Sequence, residues 1–546
     1  MQDVVCNEPI MPLAMPRSPR VWLTMLNPDL PGKLVRIQVQ LNHGLVEEEK
    51  PRLDDQLLAL YTAVIQKFAR LHGDATRCFL VRAPESIELA GLHVQEFGGP
   101  TNGIACLETV FCVSARDDGK LAISHVDERF APAEFELLAG LPKNRVLAWR
   151  AHARQASAGG AASWAAVIHR AVQYHVNRHK GPTGQIELNI PGLNIVAGSV
   201  LPGGCDTHSD STLTAAGLIA SMTAAGEWGR VPLADFAEWC ADAECAGTGR
   251  KSNLGPLLFG MPNEVLHMDW NPARGKSHAL AAGHVFICAH SGLPAAPNFA
   301  HGRLRATTTH IGFALFRQCV CEALARPGSP RDATLNDEFV YQLLRQIPER
   351  ATRGQTLEAL KSTETQSALQ AHFATHDEPP GGYCVREKLL FVLAEMQRAA
   401  RAANAIRRGD AAELGAYMNI GQAGEASLFH ELTPGGLVEQ TRQIIHCSGD
   451  GELLAMAGHV EALWKQTGRS GASTPETDLL CDLAAGVNGV LGARYCEPQR
   501  AAVLCKREAL SAVLDRLTAG YYTPRHLPPT LAQQVFPCRG AGVLAI

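Results

Sequence analysis

The sequence predicts an α+β protein of two lobes, divided near residue 310 and preceded by an N-terminal extension. Three observations carry that expectation. Apolar residues recur at helical spacing in some long windows and gather into short β-type runs in others, so both periods occur in one chain. The 546 residues are 46% hydrophobic, enough material for more than one buried core. From about residue 326 to 382 the composition turns polar around Pro327, Pro330, Pro379 and Pro380, which predicts a helical insertion with loops near a domain border.

Residues 1–52 are punctuated by proline and close on the acidic run Glu47-Glu48-Glu49-Lys50, so they read as an extension. The first lobe, 53–310, opens on a helix over 53–71, where Leu57, Leu58, Leu60, Tyr61, Val64, Ile65 and Phe68 share a face and Gly73 supplies the stop. A β-type run, Arg77 to Val81, leads into Ala83-Pro84. Glycines cluster from Gly91 to Gly103. A strand over 105–114 and the turn Arg116-Asp117-Asp118-Gly119 follow. An amphipathic helix is expected over 164–179, strands with turns over 185–200, and an Ala-rich helix over 212–225. The last is entered through a loop that starts at Pro202-Gly203-Gly204. The second lobe, 311–546, contains the polar insertion, a long helix over 388–411, a second helical stretch to Met418, and then mixed helices and short strands.

Composition excludes several classes of function. Fifty basic against fifty-four acidic residues leave a net charge of −4, with no global attraction for nucleic acid or anionic lipid. No run of roughly eighteen apolar residues offers a membrane-spanning helix. The first nineteen residues carry Asp3, Glu8 and four prolines in place of a cationic start and an apolar run. With sixteen scattered cysteines read as free thiols, the expected location is the cytoplasm. Cys319, Cys321 and Cys384 read as small buried apolar residues.

The chemistry-bearing spacings are sparse. Cys205 with His208, Cys319 with Cys321 and His175 with His179 do not belong to a four-ligand zinc pattern, and the two histidines read as a solvated pair on a basic helix. No G-x-S-x-G elbow, Walker loop or dinucleotide fingerprint appears. The loop from Pro202 to Ser211 has two readings. Its backbone N–H groups, with Gly203, Gly204, Thr207, Ser209 and Ser211, suit a phosphate at a helix start. Asp206 and Asp210 would repel a polyphosphate unless a metal sat between them, and a simply capped helix is the other reading.

The order of these segments, over about residues 55–546, resembles the galactokinases of the GHMP small-molecule kinase superfamily. The family's R-A-P-G-R-x-N-L-I-G-E-H-T-D-Y-x-G-G is similar, without a gap, to the stretch from Arg82-Ala83-Pro84 through Leu92-His93-Val94-Gln95 to Gly98-Gly99. Its V-P-L-G-A-G-L-S-S-S-A-S resembles Val200 to Ser211, and its A-E…G-I-M-D-Q…A-L-L-I-D resembles Ala241-Asp242…Lys251-Ser252-Asn253…Met268-Asp269. Ala394 to Asp410 is similar to the long helix of its second lobe, and Cys538-Arg539-Gly540-Ala541-Gly542 to its C-terminal C-R-P-x-x-G-A.

The resemblance implies a two-lobe GHMP-kinase-like fold, with an N-terminal mixed α/β lobe and a C-terminal ferredoxin-like α+β lobe. It also implies an ancestral phosphorylation of a sugar hydroxyl by Mg·ATP. His93, Gln95, Gly98 and Gly99 would then lie on the sugar side, and Gly203, Gly204, Thr207, Ser209 and Ser211 on the nucleotide side. The departures fall on the reacting groups. The arginine position is Ser86, the aspartate position is Asn253, and the third glycine-rich motif becomes Glu497-Pro498-Gln499. Asn accepts no proton near neutral pH, Ser carries no charge, and Pro removes an N–H. Two readings stay open. One is a non-catalytic or repurposed homologue that binds a sugar, a nucleotide or a protein partner. The other is an active sugar kinase, or related transferase, re-equipped through Lys251, His208, Glu497 or a metal held by Asp206 and Asp210.

Overall fold

A computed structural model describes residues 3–4, 15–27, 50–141, 149, 164–181, 184–200, 210–244, 254–270, 273–292, 299–324, 336–426, 449–459, 461–497 and 499–544. The chain forms two compact units. One comprises residues 1–88, 102–280 and 535–546; the other comprises 89–101 and 281–534. The division thus falls after Leu280, where the sequence reading placed it near 310, and a thirteen-residue segment from the first third of the chain belongs to the second unit.

The first unit is a mixed sheet clad with helices. Its elements are β1 (Asp3–Val4), α1 (Pro19–Met25), α2 (Lys50–His72), β2 (Phe79–Ala90), β3 (Thr101–Arg116), β4 (Lys120–His125), β5 (Ala133–Glu136), α3 (Trp164–Arg178), β6 (Gly192–Ser199), α4 (Asp210–Ala224), α5 (Leu233–Glu244), α6 (Leu254–Phe259), β7 (Glu264–Trp270) and β8 (Ala273–Ala279). The strand order is β1-β8-β7-β3-β6-β4-β5. β2 pairs with β3 and with the short C-terminal strand Gly542–Val543. β3 and β6 run antiparallel, with Phe111 opposite Ala197, while β4 and β6 run parallel, with Leu121 opposite Leu193.

Side chains alternate across a strand, and here both faces are covered. Phe79, Val81, Phe111, Val113 and Ile195 pack with residues of α3 to α6, among them Ile168, Val172, Leu218 and Phe236. Leu80, Val110, Cys112 and Val196 pack with Trp22 of α1 and with Leu57, Tyr61, Val64, Ile65 and Phe68 of α2. Two-sided burial explains why these strands read as apolar runs and not as an alternating pattern.

β2 continues through Pro84, where the sequence reading let the strand lapse. The C-terminal strand pairs with β2 only at Val81 and Arg82, so the missing proline N–H lies beyond that ladder. β2 is anchored from below by Arg82, whose guanidinium bonds Glu108 and the Gly540 carbonyl. Tyr61 completes the group through a 3.1 Å bond to Glu108.

The second unit begins its main run with β9 (His284–His290) and α7 (Phe299–Leu324). It continues with α8 (Asp337–Gln346), β10 (Arg350–Ala351), α9 (Arg353–Ala359), α10 (Thr363–Phe373), β11 (Tyr383–Cys384), α11 (Val385–Arg408) and α12 (Ala411–Glu425). The last elements are α13 (Asp450–Gly458), α14 (Pro475–Ala485), β12 (Val490–Glu497), β13 (Arg500–Lys506), α15 (Leu510–Leu517) and β14 (Ala532–Val535). Its four-stranded sheet has the order β12-β13-β9-β14, and α14 and α15 close one face through Leu480, Val503, Val513 and Leu517.

The polar stretch owes its composition to helix starts. Asn336 accepts from the Phe339 amide, Thr352 and Gln355 form a reciprocal capping box, and Ser362 accepts from the Thr365 amide. Cys319, Cys321 and Cys384 are only partly buried, so the expectation of fully buried thiols there does not hold. All three lie on or beside helices α7 and α11, which leave part of their girth exposed.

Candidate functional site

The positions singled out in the sequence fall on both units, and each set has its own geometry. In the first unit, Ser86 sits on β2, 3% exposed, with Glu85 and Glu88 buried beside it in the chain. Its hydroxyl has no hydrogen-bond partner among the described residues. A short neutral side chain therefore stands at the position where the resemblance implies a guanidinium. The start of α4 is equally specific. Ser211 is buried and donates its hydroxyl to Glu244 Oε2 at 2.8 Å, and Asp210 lies exposed on the first turn. Thr212 donates to the Pro84 carbonyl at 3.1 Å, which ties this helix start to β2.

Asp210 suits the positive end of the helix dipole, as a phosphate would. Burial lowers the pKa of Arg170, and the nearby Asp210 and Glu244 carboxylates partly restore it. Arg170 is thus already engaged by the chain's own acids. Gly203, Gly204, Thr207, Ser209 and Asp206 lie outside the described residues, as do Lys251 and Asn253.

In the second unit, the segment Leu89–Thr101 is fastened by a buried ion cluster that sequence reasoning did not single out. Glu395 on α11 accepts the amides of Gly91 at 2.8 Å and Leu92 at 3.4 Å. It also pairs with Arg398 at 2.7 Å and Arg494 at 2.9 Å. Burial pushes the Glu395 carboxyl up, but the Arg494 and Arg398 guanidiniums outweigh it and hold the pKa down to about 2. Arg494 also donates to the Leu89 carbonyl, and Arg398 to the carbonyls of Trp464 and Gln466.

The next residue, His93, has φ of +64°, a left-handed conformation that costs a non-glycine residue about 1 kcal/mol or more. Its Nε2 faces Glu425 Oε1 at 3.5 Å, and Glu425 itself is fully buried with Oε2 accepting the Ala472 amide at 3.1 Å. Gln95 is buried, and neither its Oε1 nor the Ser473 hydroxyl has a hydrogen-bond partner among the described residues. Gly98 and Gly99 have backbone reasons to be glycine. Gly98 has φ of +74°, and a Cβ on Gly99 would lie 2.6 Å from Val94 Cγ2 and 2.8 Å from Met396 Cγ.

Where the resemblance implies a glycine-rich loop, β12 and β13 form an antiparallel hairpin. Glu497 lies opposite Arg500, and the two side chains pair at 3.1 Å. Pro498 lies outside the described residues. A backbone ladder that runs up to Glu497 is already hydrogen-bonded within the sheet, unlike a loop with free N–H groups. The signal for Glu395, Glu425 and Arg494 was available only in part, since charged residues inside apolar helical or strand periods mark buried pairs without naming their partners.

The fold resembles that of a solved galactokinase. No family model matches the sequence, and no curated protein matches it. Among solved structures, the Lactococcus lactis galactokinase complexed with galactose superposes with a TM-score of 0.57 at 15% identity, over 88% of this chain and 98% of that one. The Bacteroides thetaiotaomicron D-glycero-D-manno-heptose 1-phosphate kinase reaches 0.41 at 11% identity, over 86% and 99%. The Methanococcus jannaschii mevalonate kinase reaches 0.40 at 10% identity, over 85% and 98%. Of these three the galactokinase carries the comparison, and at 15% identity it shows a likeness of fold. Among the described residues no helix is long and apolar enough to cross a membrane.

Proposed function

We propose that this chain is a galactokinase-like protein that binds a polyhydroxylated metabolite and has given up phosphoryl transfer. The observation that carries this reading is the start of α4. Ser211 spends its hydroxyl on Glu244, Asp210 stands on the same turn, and Arg170 is drawn to both acids. Phosphoryl transfer needs positive charge around the moving phosphate, and this helix start presents carboxylates instead. Ser86, neutral and buried between acids in the sequence, supports the same conclusion.

The sugar-side segment supports retained binding. His93 is held in a strained conformation against Glu425, and Gln95 Oε1 and Ser473 Oγ are polar atoms with unmet bonding capacity. Unmet buried polar atoms are costly unless a ligand with hydroxyl groups satisfies them. The competing reading, an active Mg·ATP-dependent sugar kinase with a re-equipped site, is favoured by one observation. Asp210 and Glu244 are the residue types that hold magnesium.

A thermal-shift titration with Mg·ATP, Mg·ADP and free galactose separates the two. A ligand at about a hundred times its dissociation constant adds roughly 2.7 kcal/mol, a shift of several degrees for a chain of this size. The proposal expects a shift with galactose or a related sugar and none with either nucleotide. A magnesium-dependent ATP shift followed by sugar-phosphate formation would replace it with the kinase reading. The Ser86→Arg, Asn253→Asp double variant is expected to form no sugar phosphate, because the hairpin at Glu497 still stands in place of the third glycine loop.

A further inference from the structure

The first unit holds a second constellation, formed by the end of α3 and the turn after α4. On α3, His175 and His179 are one helical turn apart, their rings 5.1 Å between centroids and nearly perpendicular. The sequence reading took them as a solvated pair. His175 is instead fully buried, because its face of α3 packs against α4. Facing them is Glu227, on the turn after α4. That turn is set by Gly226 at φ +75° and by the Glu227 and Trp228 amides, which both donate to the Met222 carbonyl.

Glu227 Oε2 lies 2.7 Å from His175 Nε2 and 3.0 Å from His179 Nε2. The ligand atoms of the three side chains all lie within 4.8 Å of one another. We propose that His175, His179 and Glu227 form a binding site for a zinc-class divalent ion, which clasps the end of α3 to the turn after α4.

Three features support a metal over a hydrogen-bonded trio alone. His175 Nδ1 is 2.8 Å from the Ser221 hydroxyl, an outer contact that orients the ring with Nε2 toward Glu227. His179 Nε2 is buried yet makes no hydrogen bond of acceptable geometry, although the carboxylate is close. Finally, the nearest guanidinium is diverted, since Arg178 lies over the Trp239 ring at 4.0 Å and donates to the Tyr174 hydroxyl.

Two imidazoles and one carboxylate suit zinc, cobalt or nickel better than magnesium or calcium. Metal bonds of about 2.0–2.1 Å set tetrahedral ligands roughly 3.3 Å apart, so binding must open the present spacings by a few tenths of an ångström. Glu227, on a turn and 19% exposed at its side chain, can supply that movement. His179 and Glu227 both keep part of their side chains exposed, and water would complete the coordination.

The test uses the full chain, stripped with a chelator and then titrated with zinc and, separately, with cobalt. The proposal expects one zinc per chain, a rise in melting temperature, and tetrahedral cobalt d–d bands without a thiolate charge-transfer band. His179→Ala, which removes a half-buried ligand and spares the core, and Glu227→Gln should each weaken zinc binding at least tenfold. Unchanged affinity in both variants, a thiolate band, or no zinc bound at micromolar concentration would overturn it. His175→Ala is left aside, since a fully buried ring can cost folding by itself.

Discussion

Two carboxylates, the buried Glu395 of one unit and the half-buried Glu227 of the other, show how differently the same group can be used. Glu395 is closed: two guanidiniums and two backbone amides use its oxygens, and both arginines spend further donors on carbonyls. Glu227 is open: two imidazoles crowd one of its oxygens, one of those contacts is not a hydrogen bond, and part of the carboxylate meets solvent. A closed network fixes a shape, here the course of the segment that carries His93. An open one has capacity left for a ligand. The contrast separates what the fold must keep from what function can use.

The largest expected effect comes from breaking the closed cluster. Arg494→Leu leaves Glu395 with one counter-ion in a fully buried site, and loss of one member of such a group costs about 3–5 kcal/mol. Gly91 and Leu92 report it directly, because their amides are bonded to Glu395. Their hydrogen exchange should accelerate well before that of α3 in the other unit. Equal protection in the variant and the wild type would show that the cluster does not hold the segment.

Acid should produce the next effect. The Glu395 pKa is depressed from 4.5 to about 2, so its contribution to stability is complete above about pH 4.5 and disappears as pH falls through about 2. The stability gap between wild type and Glu395→Gln should therefore narrow steadily from pH 5 to pH 2, read as urea midpoints. A gap that stays constant over that range would mean that the carboxylate is not held ionised.

The open cluster should behave in the opposite way. Without metal, His179→Ala is expected to change stability by under about 1 kcal/mol, because a part-exposed ring is removed and no charge is stranded. With zinc present, the wild type alone should gain melting temperature. A loss of several kcal/mol in the metal-free variant would make Glu227 as structural as Glu395 and erase the comparison.

These contrasts also mark how far the sequence could be read. Helical periodicity over 53–71 corresponds to a helix at Lys50–His72, and the long helix expected at 388–411 lies at Val385–Arg408, because amphipathic spacing is a local property. The frame around Gly98 and Gly99 was legible for a backbone reason, since a positive φ and a close contact there tolerate little else. Pro84 misled, because its fitness for a strand depends on which neighbour lies alongside. His175 misled for a similar reason, as burial on α3 is decided by α4, some forty residues later. Glu227 was invisible: a lone acid has no signal until its partners are known. On the nucleotide side, Ser211 was read as a phosphate ligand, and only the fold shows Glu244 next to it.

The smallest expected effect belongs to Ser86, and it bears on function as much as on stability. Its hydroxyl is buried without a partner among the described residues, so the wild type already bears the cost of desolvating it. Ser86→Ala removes that group at little loss of volume and should leave stability within about 1 kcal/mol of the wild type, or raise it. The same variant examined with galactose decides what the hydroxyl is for. If Ser86 only fills space on β2, melting temperature and sugar response are both unchanged. If it is kept for a ligand, stability is held or raised while the galactose shift falls. A clear destabilisation without ligand would show that the hydroxyl has a partner in the folded chain, and Ser86 would then belong with Glu395 among the groups the fold itself requires.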